Sequence, residues 1–305
     1  MTLALTNLPA PPLPDWLEAM VPFTRYQVKV GGHALHVMEQ GEGTPVLMLH
    51  GNPSWSFLWR KVALALTGAP LRLVMPDLLG LGLSDKPADP LVHTLAHHGR
   101  LIGELVDLLG LERLVLAVQD WGGPIGGCAM APRAGRVKGL VVLNTVLGPP
   151  RLGFRPTAFH RFARLPVVSD LAFKTFGFMP RGMNLAQGDR TTITGDVARA
   201  YRWVLRDTSM RTAPLALARM VPNSQEHPSI PALRVCEQFV QHFKGPTELV
   251  WGDRDPVLGP AIKRLQVLLP HARVTRTQGG HFLQEEVPEE IAAAIRRVAL
   301  GTLPP

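Results

Sequence analysis

The sequence predicts an α/β fold, a mostly parallel sheet flanked by helices, with an inserted helical cap. Three observations carry that prediction. Short apolar runs alternate with segments of helical periodicity through the first half of the chain, as right-handed β-α-β crossovers require. The runs are continuously apolar, which suits strands covered on both faces. After Leu147 the alternation stops, and it resumes with TELVWGD at residue 247.

In order, YQVKVGGHALHVMEQG predicts a hairpin turning at Gly31 and Gly32, and TPVLMLHG a buried strand. PSWSFLWRKVALAL has helical spacing, LRLVMPDLLG is another buried strand, and HTLAHHGRLIGELVDLLGL is an amphipathic helix. Strand LERLVLAVQDW, helix GGPIGGCAMAPRAGRV and strand VKGLVVLNTV follow. The stretch 148–225 contains helical segments such as SDLAFKTFGF and TGDVARAYRWVLRD but no strand pair. Helix PAIKRLQVLLP, strand RVTRTQ and helix PEEIAAAIRRVAL complete the pattern. The expected division is a core of 1–147 and 226–305 with a helical cap of 148–225 between them.

Composition limits the function. With 305 residues and 46% hydrophobic content, the chain can bury a full core. The net charge of +8 comes mainly from arginines scattered between apolar stretches, without a basic run, an RNA-binding aromatic motif or zinc-ligand spacing. No nucleic-acid partner is therefore expected. The two cysteines, Cys128 and Cys236, read as buried thiols. MTLALTNLPAPPLPDWLEAM lacks a basic n-region and is broken by prolines, so neither a signal peptide nor a membrane span is expected, and a cytoplasmic location is the default. GLGLS at 80–84 lacks dinucleotide-fingerprint spacing and reads as a turn flanked by Asp77 and Asp85. His93 and His97 have the spacing of a metal pair without a third ligand, so no metal or other cofactor is expected.

The chemistry centres on LAVQDWGG, residues 116–123. Asp120 ends a buried strand, and Gly122 and Gly123 open the next helix, so it stands either as a helix cap or at the apex of a nucleophile elbow. Asp255, in WGDRDPVLGP, and His281, in GGHFLQEE, follow in the order nucleophile, acid, histidine, each in a loop after a strand. Ser54 and Ser84 stand at no elbow. A carboxylate nucleophile attacks an alkyl carbon to give an enzyme ester, which water activated by histidine hydrolyses. An oxygen leaving group needs a proton donor such as tyrosine, whereas a halide needs only N–H donors in a dry pocket. The chain has two tyrosines, Tyr26 before the core sheet and Tyr201 in the cap, which argues against an epoxide hydrolase. Asn52 and Trp121 either pack as loop and core residues or together cradle a halide. Glu285 and Glu286 are expected to begin the last helix and suit its dipole. Phe154, Phe159, Phe173, Phe176, Phe178 and Met179 are candidates to line an apolar pocket, with ordinary packing as the alternative.

HGNPSWSFLWR, PDLLGLGLSDKP, VQDWGGPIG, WGDRDPVLGP and GGHFLQEEVPEEIA together resemble the haloalkane dehalogenases of the α/β-hydrolase superfamily, over nearly the whole chain beyond residue 25. The resemblance implies cofactor-independent hydrolysis of an apolar haloalkane to alcohol, halide ion and proton, with Asp120 as nucleophile and His281 as base. It implies Asn52 and Trp121 as the halide-binding pair, and their backbone N–H groups as the oxyanion hole. In one branch the third acid is a glutamate ending the strand after the nucleophile's; here that position is Asn144, so Asp255 takes the role. The set is most similar to the third subfamily, which raises the expectation of a homo-oligomer, and it leaves cap residue Trp203 as an alternative halide ligand. A non-catalytic binding protein on the same fold is the rival of another class.

Overall fold

The structure is a computed structural model that describes residues 7–301. Its nine strands are β1 (Asn7–Pro9), β2 (Thr24–Val30), β3 (His33–Gln40), β4 (Thr44–Leu49), β5 (Leu71–Pro76), β6 (Leu114–Gln119), β7 (Val137–Leu143), β8 (Thr247–Gly252) and β9 (Arg273–Thr277). They form one sheet in the order β1-β2-β3-β5-β4-β6-β7-β8-β9. The first pairings, through β3 with β5, are antiparallel, and the rest are parallel. The hairpin turns at Gly31 and Gly32, both at positive φ, where glycine carries no Cβ penalty. Strand β1 was not foreseen, because three residues cannot display a period; the six residues before it lie outside the described ones.

Strand β6 shows why the parallel strands read as unbroken apolar runs. Leu114, Leu116 and Val118 pack into one core cluster, while Val115 and Ala117 pack into the cluster on the opposite face. Helices Leu95–Leu108, Gly122–Met130 and Ile230–His242 cover the first face, and Arg60–Ala65 with Pro288–Leu300 cover the second. Each fully buried aliphatic side chain contributes about 1.5–3 kcal/mol, so neither face tolerates a polar residue without a partner.

The cap lies between β7 and β8 and is built of short pieces, among them Ala158–Phe162, Phe178–Gly182, Gly195–Trp203 and Thr212–Arg219. Phe159, Phe162 and Phe173 pack with Leu215 and Met179 into a cap cluster. Phe154, Phe176 and Phe178 depart from the lining expected of them: all three are exposed. Cys128 and Cys236 are free thiols; Cys236 is fully buried, and Cys128 is half-buried with its Sγ on Ala232 O. No helix among the described residues is long and apolar enough to cross a membrane.

The end of the chain corrects one expectation. Glu285 is buried in a short turn, Leu283–Glu285, before the terminal helix, where it pairs with Arg60 and accepts from Tyr201 Oη at 2.6 Å. Glu286 accepts backbone N–H groups of Gly188, Asp189 and Gly280. The acidic residues of the terminal helix's first turn are instead Glu289 and Glu290. The dipole reading failed because Arg60 lies 225 residues away and leaves no local mark in the sequence.

Candidate active site

The elbow is formed by backbone geometry. Asp120 takes φ +48°, a left-handed conformation that costs a residue with a Cβ about 1–2 kcal/mol. Its N–H donates to Asn144 O at 3.1 Å, and its own carbonyl accepts from Gly123 N at 3.0 Å and from the Thr145 hydroxyl. The surrounding glycines make the turn fit. A Cβ on Gly51 would lie 2.2 Å from Asp120 Oδ1, and one on Gly122 would lie 2.3 Å from Leu49 O. Strands β4 and β6 are neighbours in the parallel sheet, so the loop after β4 delivers Asn52 to the elbow.

Three titratable side chains meet there with backbone donors around them. The Asn52 N–H donates to Asp120 Oδ1 at 2.8 Å, and the Trp121 N–H also serves the Asp120 carboxylate. His281 Nε2 stands 3.6 Å from Asp120 Oδ2, longer than a hydrogen bond, while its Nδ1 lies 2.9 Å from Asp255 Oδ2. Asp255 Oδ1 accepts from Val257 N at 2.7 Å and Leu258 N at 3.0 Å. The sequence-derived residues Asp120, Asp255, His281, Asn52 and Trp121 are thus brought to one place.

Charge follows from burial and neighbours. Burial pushes the Asp120 carboxyl above its ordinary 3.8, against the pull of His281 and the two N–H groups. Burial alone would depress His281, but Asp255 and then Asp120 outweigh it and raise the imidazole to about 9. Burial likewise opposes ionisation of Asp255, yet His281, Asn144 and the Leu258 N–H hold its carboxyl below 3.8.

The side chains of the expected halide pair differ in their freedom. Asn52 Nδ2 donates to Pro214 O at 2.9 Å, and its other contact is Met179 Sδ at 3.7 Å, a weak acceptor. Trp121 is 8% exposed, and its indole N–H has no acceptor among the described residues. Trp203 packs elsewhere in the cap, under the Arg206 guanidinium at 4.3 Å. Both tyrosine hydroxyls are engaged, Tyr26 with Glu39 and Tyr201 with Glu285.

Sequence reasoning missed the supports. Asn144 Nδ2 donates to Asp255 Oδ2 at 2.7 Å and to Gly252 O at 3.1 Å, and its Oδ1 accepts from Gly252 N at 2.8 Å. Gln119 Nε2 holds His281 O at 3.0 Å, and the His281 N–H donates to Ala186 O of the cap. Asn144 stands at the end of a strand, the signal that found Asp120, and the same rule applied to polar residues in general would have flagged it. The remaining polar candidates are structural. Asp77 ties the GLGLS turn through Leu83 N at 2.7 Å and pairs with His36, and Asp85 accepts from Ala34 N. His93 pairs with His98 rather than His97, and the described residues include no cluster that could hold a metal.

Comparison with known proteins places the chain in a fold and a family. The family model for the alpha/beta hydrolase fold matches residues 44–288. Haloalkane dehalogenase 2 of Mycobacterium tuberculosis is 35% identical over 266 residues, covering 86% of this chain and 90% of that protein. The chain belongs to the haloalkane dehalogenases. A haloalkane dehalogenase of Mycobacterium marinum is 32% identical over 272 residues, with 86% and 87% covered. Among solved structures, the haloalkane dehalogenase DatA of Agrobacterium tumefaciens superposes with a TM-score of 0.79 at 26% identity, covering 90% of this chain and 97% of that one. In this chain the fold brings Asp120, His281 and Asp255 together at the carboxyl edge of the parallel strands, with His281 and Asp255 buried and Asp120 partly so.

Proposed function

We propose that this haloalkane dehalogenase hydrolyses the carbon–halogen bond of an apolar haloalkane through an alkyl ester on Asp120. The observation that supports it most is the elbow itself: a largely buried carboxylate with one oxygen engaged by the Asn52 N–H and the other facing His281 Nε2 at 3.6 Å. Asp120 Oδ2 attacks the carbon in line, the carbon–halogen bond breaks, and the halide leaves with the bonding pair. The Trp121 indole N–H and the Asn52 Nδ2–H not taken by Pro214 receive it.

The first step also prepares the second. In the resting enzyme Asp120 is one of the anions that keep the His281 proton in place. Alkylation neutralises Asp120, so burial is opposed by Asp255 alone, and His281 loses its proton to become a base. Its Nε2 then takes a proton from water as the water oxygen attacks Asp120 Cγ. The oxyanion that forms is held by the N–H groups of Asn52 and Trp121, and its collapse returns the alkoxide oxygen, protonated by His281, as the alcohol. Haloalkane and water become alcohol, halide and a proton, and no cofactor enters the scheme.

Epoxide opening is disfavoured because the tyrosine hydroxyls donate to carboxylates away from Asp120. The division into core 1–147, cap 148–225 and core 226–305 belongs to the proposal, as does self-association into a homo-oligomer. The test is bromide release from short bromoalkanes by wild type and Asp120→Asn. Release by the wild type alone supports the scheme, and an unimpaired variant overturns it.

A further inference from the structure

The arginines that look scattered in the sequence gather on the cap. Arg181, Arg199, Arg202, Arg206 and Arg211, with Trp203, line a cavity of about 290 Å³ between helices Phe178–Gly182 and Gly195–Trp203 and the segment that follows them. Two of the guanidinium groups converge on the open face of Gly177. The point where a Cβ on that residue would stand lies 3.1 Å from Arg211 Cζ and 3.3 Å from Arg181 Nη1.

Arg211 cannot swing away. It is buried and donates only to carbonyls: Leu205 O at 2.7 Å, Lys174 O at 2.6 Å, Thr175 O at 2.9 Å and Arg206 O at 2.6 Å. Burial, and after it the Arg181 charge, disfavour its protonated form. Counter-charge in the cavity is thin. Asp196 approaches Arg199 at 3.6 Å and Asp207 approaches Arg206 at 3.8 Å, both on the exposed rim. Arg181 and Arg202 make no ion pair or side-chain hydrogen bond among the described residues.

We propose that this cavity binds a small soluble multivalent phosphate, such as a diphosphate group. Five guanidinium groups against two carboxylates leave a surplus that a single halide or carboxylate would not neutralise. Guanidinium forks match phosphate oxygens in geometry as well as charge; Arg181 and Arg202 offer such forks, while Arg211, whose N–H groups are mostly taken by carbonyls, adds a fixed positive charge. The Trp203 ring, under Arg206 at 4.3 Å, holds that guanidinium in place. The site is distinct from the Asp120 cluster but shares the helix Phe178–Gly182 with it, because Met179 of that helix touches Asn52.

The test is calorimetric titration of the full chain with diphosphate at constant ionic strength, with sodium chloride as the charge control. The wild type should bind diphosphate, and the double variant Arg181→Gln with Arg202→Gln should bind about tenfold more weakly or worse, while Arg190→Gln, outside the cavity, binds as the wild type does. Arg181 and Arg202 are exposed, so the variant should keep its fold and its bromide release, which separates failure of this site from failure of the dehalogenase scheme. Absence of binding by the wild type, or equal binding by the double variant, overturns the assignment. Vesicles carrying phosphatidic acid form a further arm, and a response to them without one to diphosphate overturns the soluble-ligand assignment.

Discussion

Asp255→Asn is the substitution whose consequences the geometry specifies most closely. Every acceptor site of the carboxylate is in use: Oδ2 faces His281 Nδ1 and Asn144 Nδ2, and Oδ1 takes the Val257 and Leu258 N–H groups. An amide must put its NH2 against one of these sets. Placed toward Val257 and Leu258, it opposes two donors at 2.7 and 3.0 Å; placed toward His281, it opposes the Asn144 amide and turns Nδ1 into an acceptor. In the second case the proton moves to Nε2, the nitrogen that must act as base. Either arrangement strands a buried donor, at a cost of about 1–3 kcal/mol in stability.

The lost charge matters as well. The rise of His281 from its ordinary 6.5 to about 9 corresponds to about 3 kcal/mol in favour of the protonated, folded state, and Asp255 is the leading group that raises it. Because the folded value is the higher one, this stabilisation is complete below pH 6.5 and disappears as the pH climbs through about 9. The gap in stability between wild type and Asp255→Asn should therefore narrow across that window in urea titrations. Turnover should fall about 10³–10⁴-fold, the scale set by removal of the orienting carboxylate in serine hydrolases. The loss should fall on ester hydrolysis, so rapid quenching should show a burst of bromide and intact-protein mass spectrometry a trapped alkyl adduct. Steady turnover within tenfold of wild type, or a rate loss without the adduct, would refute the reasoning.

Three further outcomes follow from named contacts. Gly51→Ala places a Cβ where Asp120 Oδ1 now stands and should lower bromide release by at least about 10²-fold with unchanged circular dichroism, since misplacing a reacting group by an ångström has that effect. Glu285→Gln leaves Arg60 buried without its counter-ion and should cost about 3–5 kcal/mol in urea unfolding. Tyr201→Phe removes one hydrogen bond to Glu285 and should cost about 1–2 kcal/mol while leaving turnover on bromoalkanes at the wild-type level.

The core was legible in the sequence because a strand covered on both faces must be apolar along its length, as β6 is from Leu114 to Val118. Asp120, Asp255 and His281 were legible because a polar residue ending such a strand, or in the loop after it, has few structural reasons to be there. The misses share a cause. Asn144 and Glu285 owe their roles to partners 84 to 225 positions away, and no local pattern encodes a partner. The cap phenylalanines were ambiguous because helices of five residues complete little more than one turn and define no face. The +8 charge was read as dispersed because the fold, not the sequence, draws five arginines around one cavity.

The joints between cap and core have a bearing on traffic through the site. Ala186 O holds the His281 N–H, Gln187 clasps Phe282 from both its polar ends, Glu286 receives Gly188 and Asp189, and Tyr201 reaches Glu285. All of these run to one short stretch, residues 281–286, which includes the histidine. A cap that lifted as a flap would pull His281 away from Asp255 with every cycle. Entry and departure should therefore depend on side chains at the edge of the cap rather than on lifting the cap as a whole. Exchange with solvent should accordingly be governed by the width of a passage, so that bulk at its mouth changes how quickly substrates and products cross without disturbing the chemistry beneath.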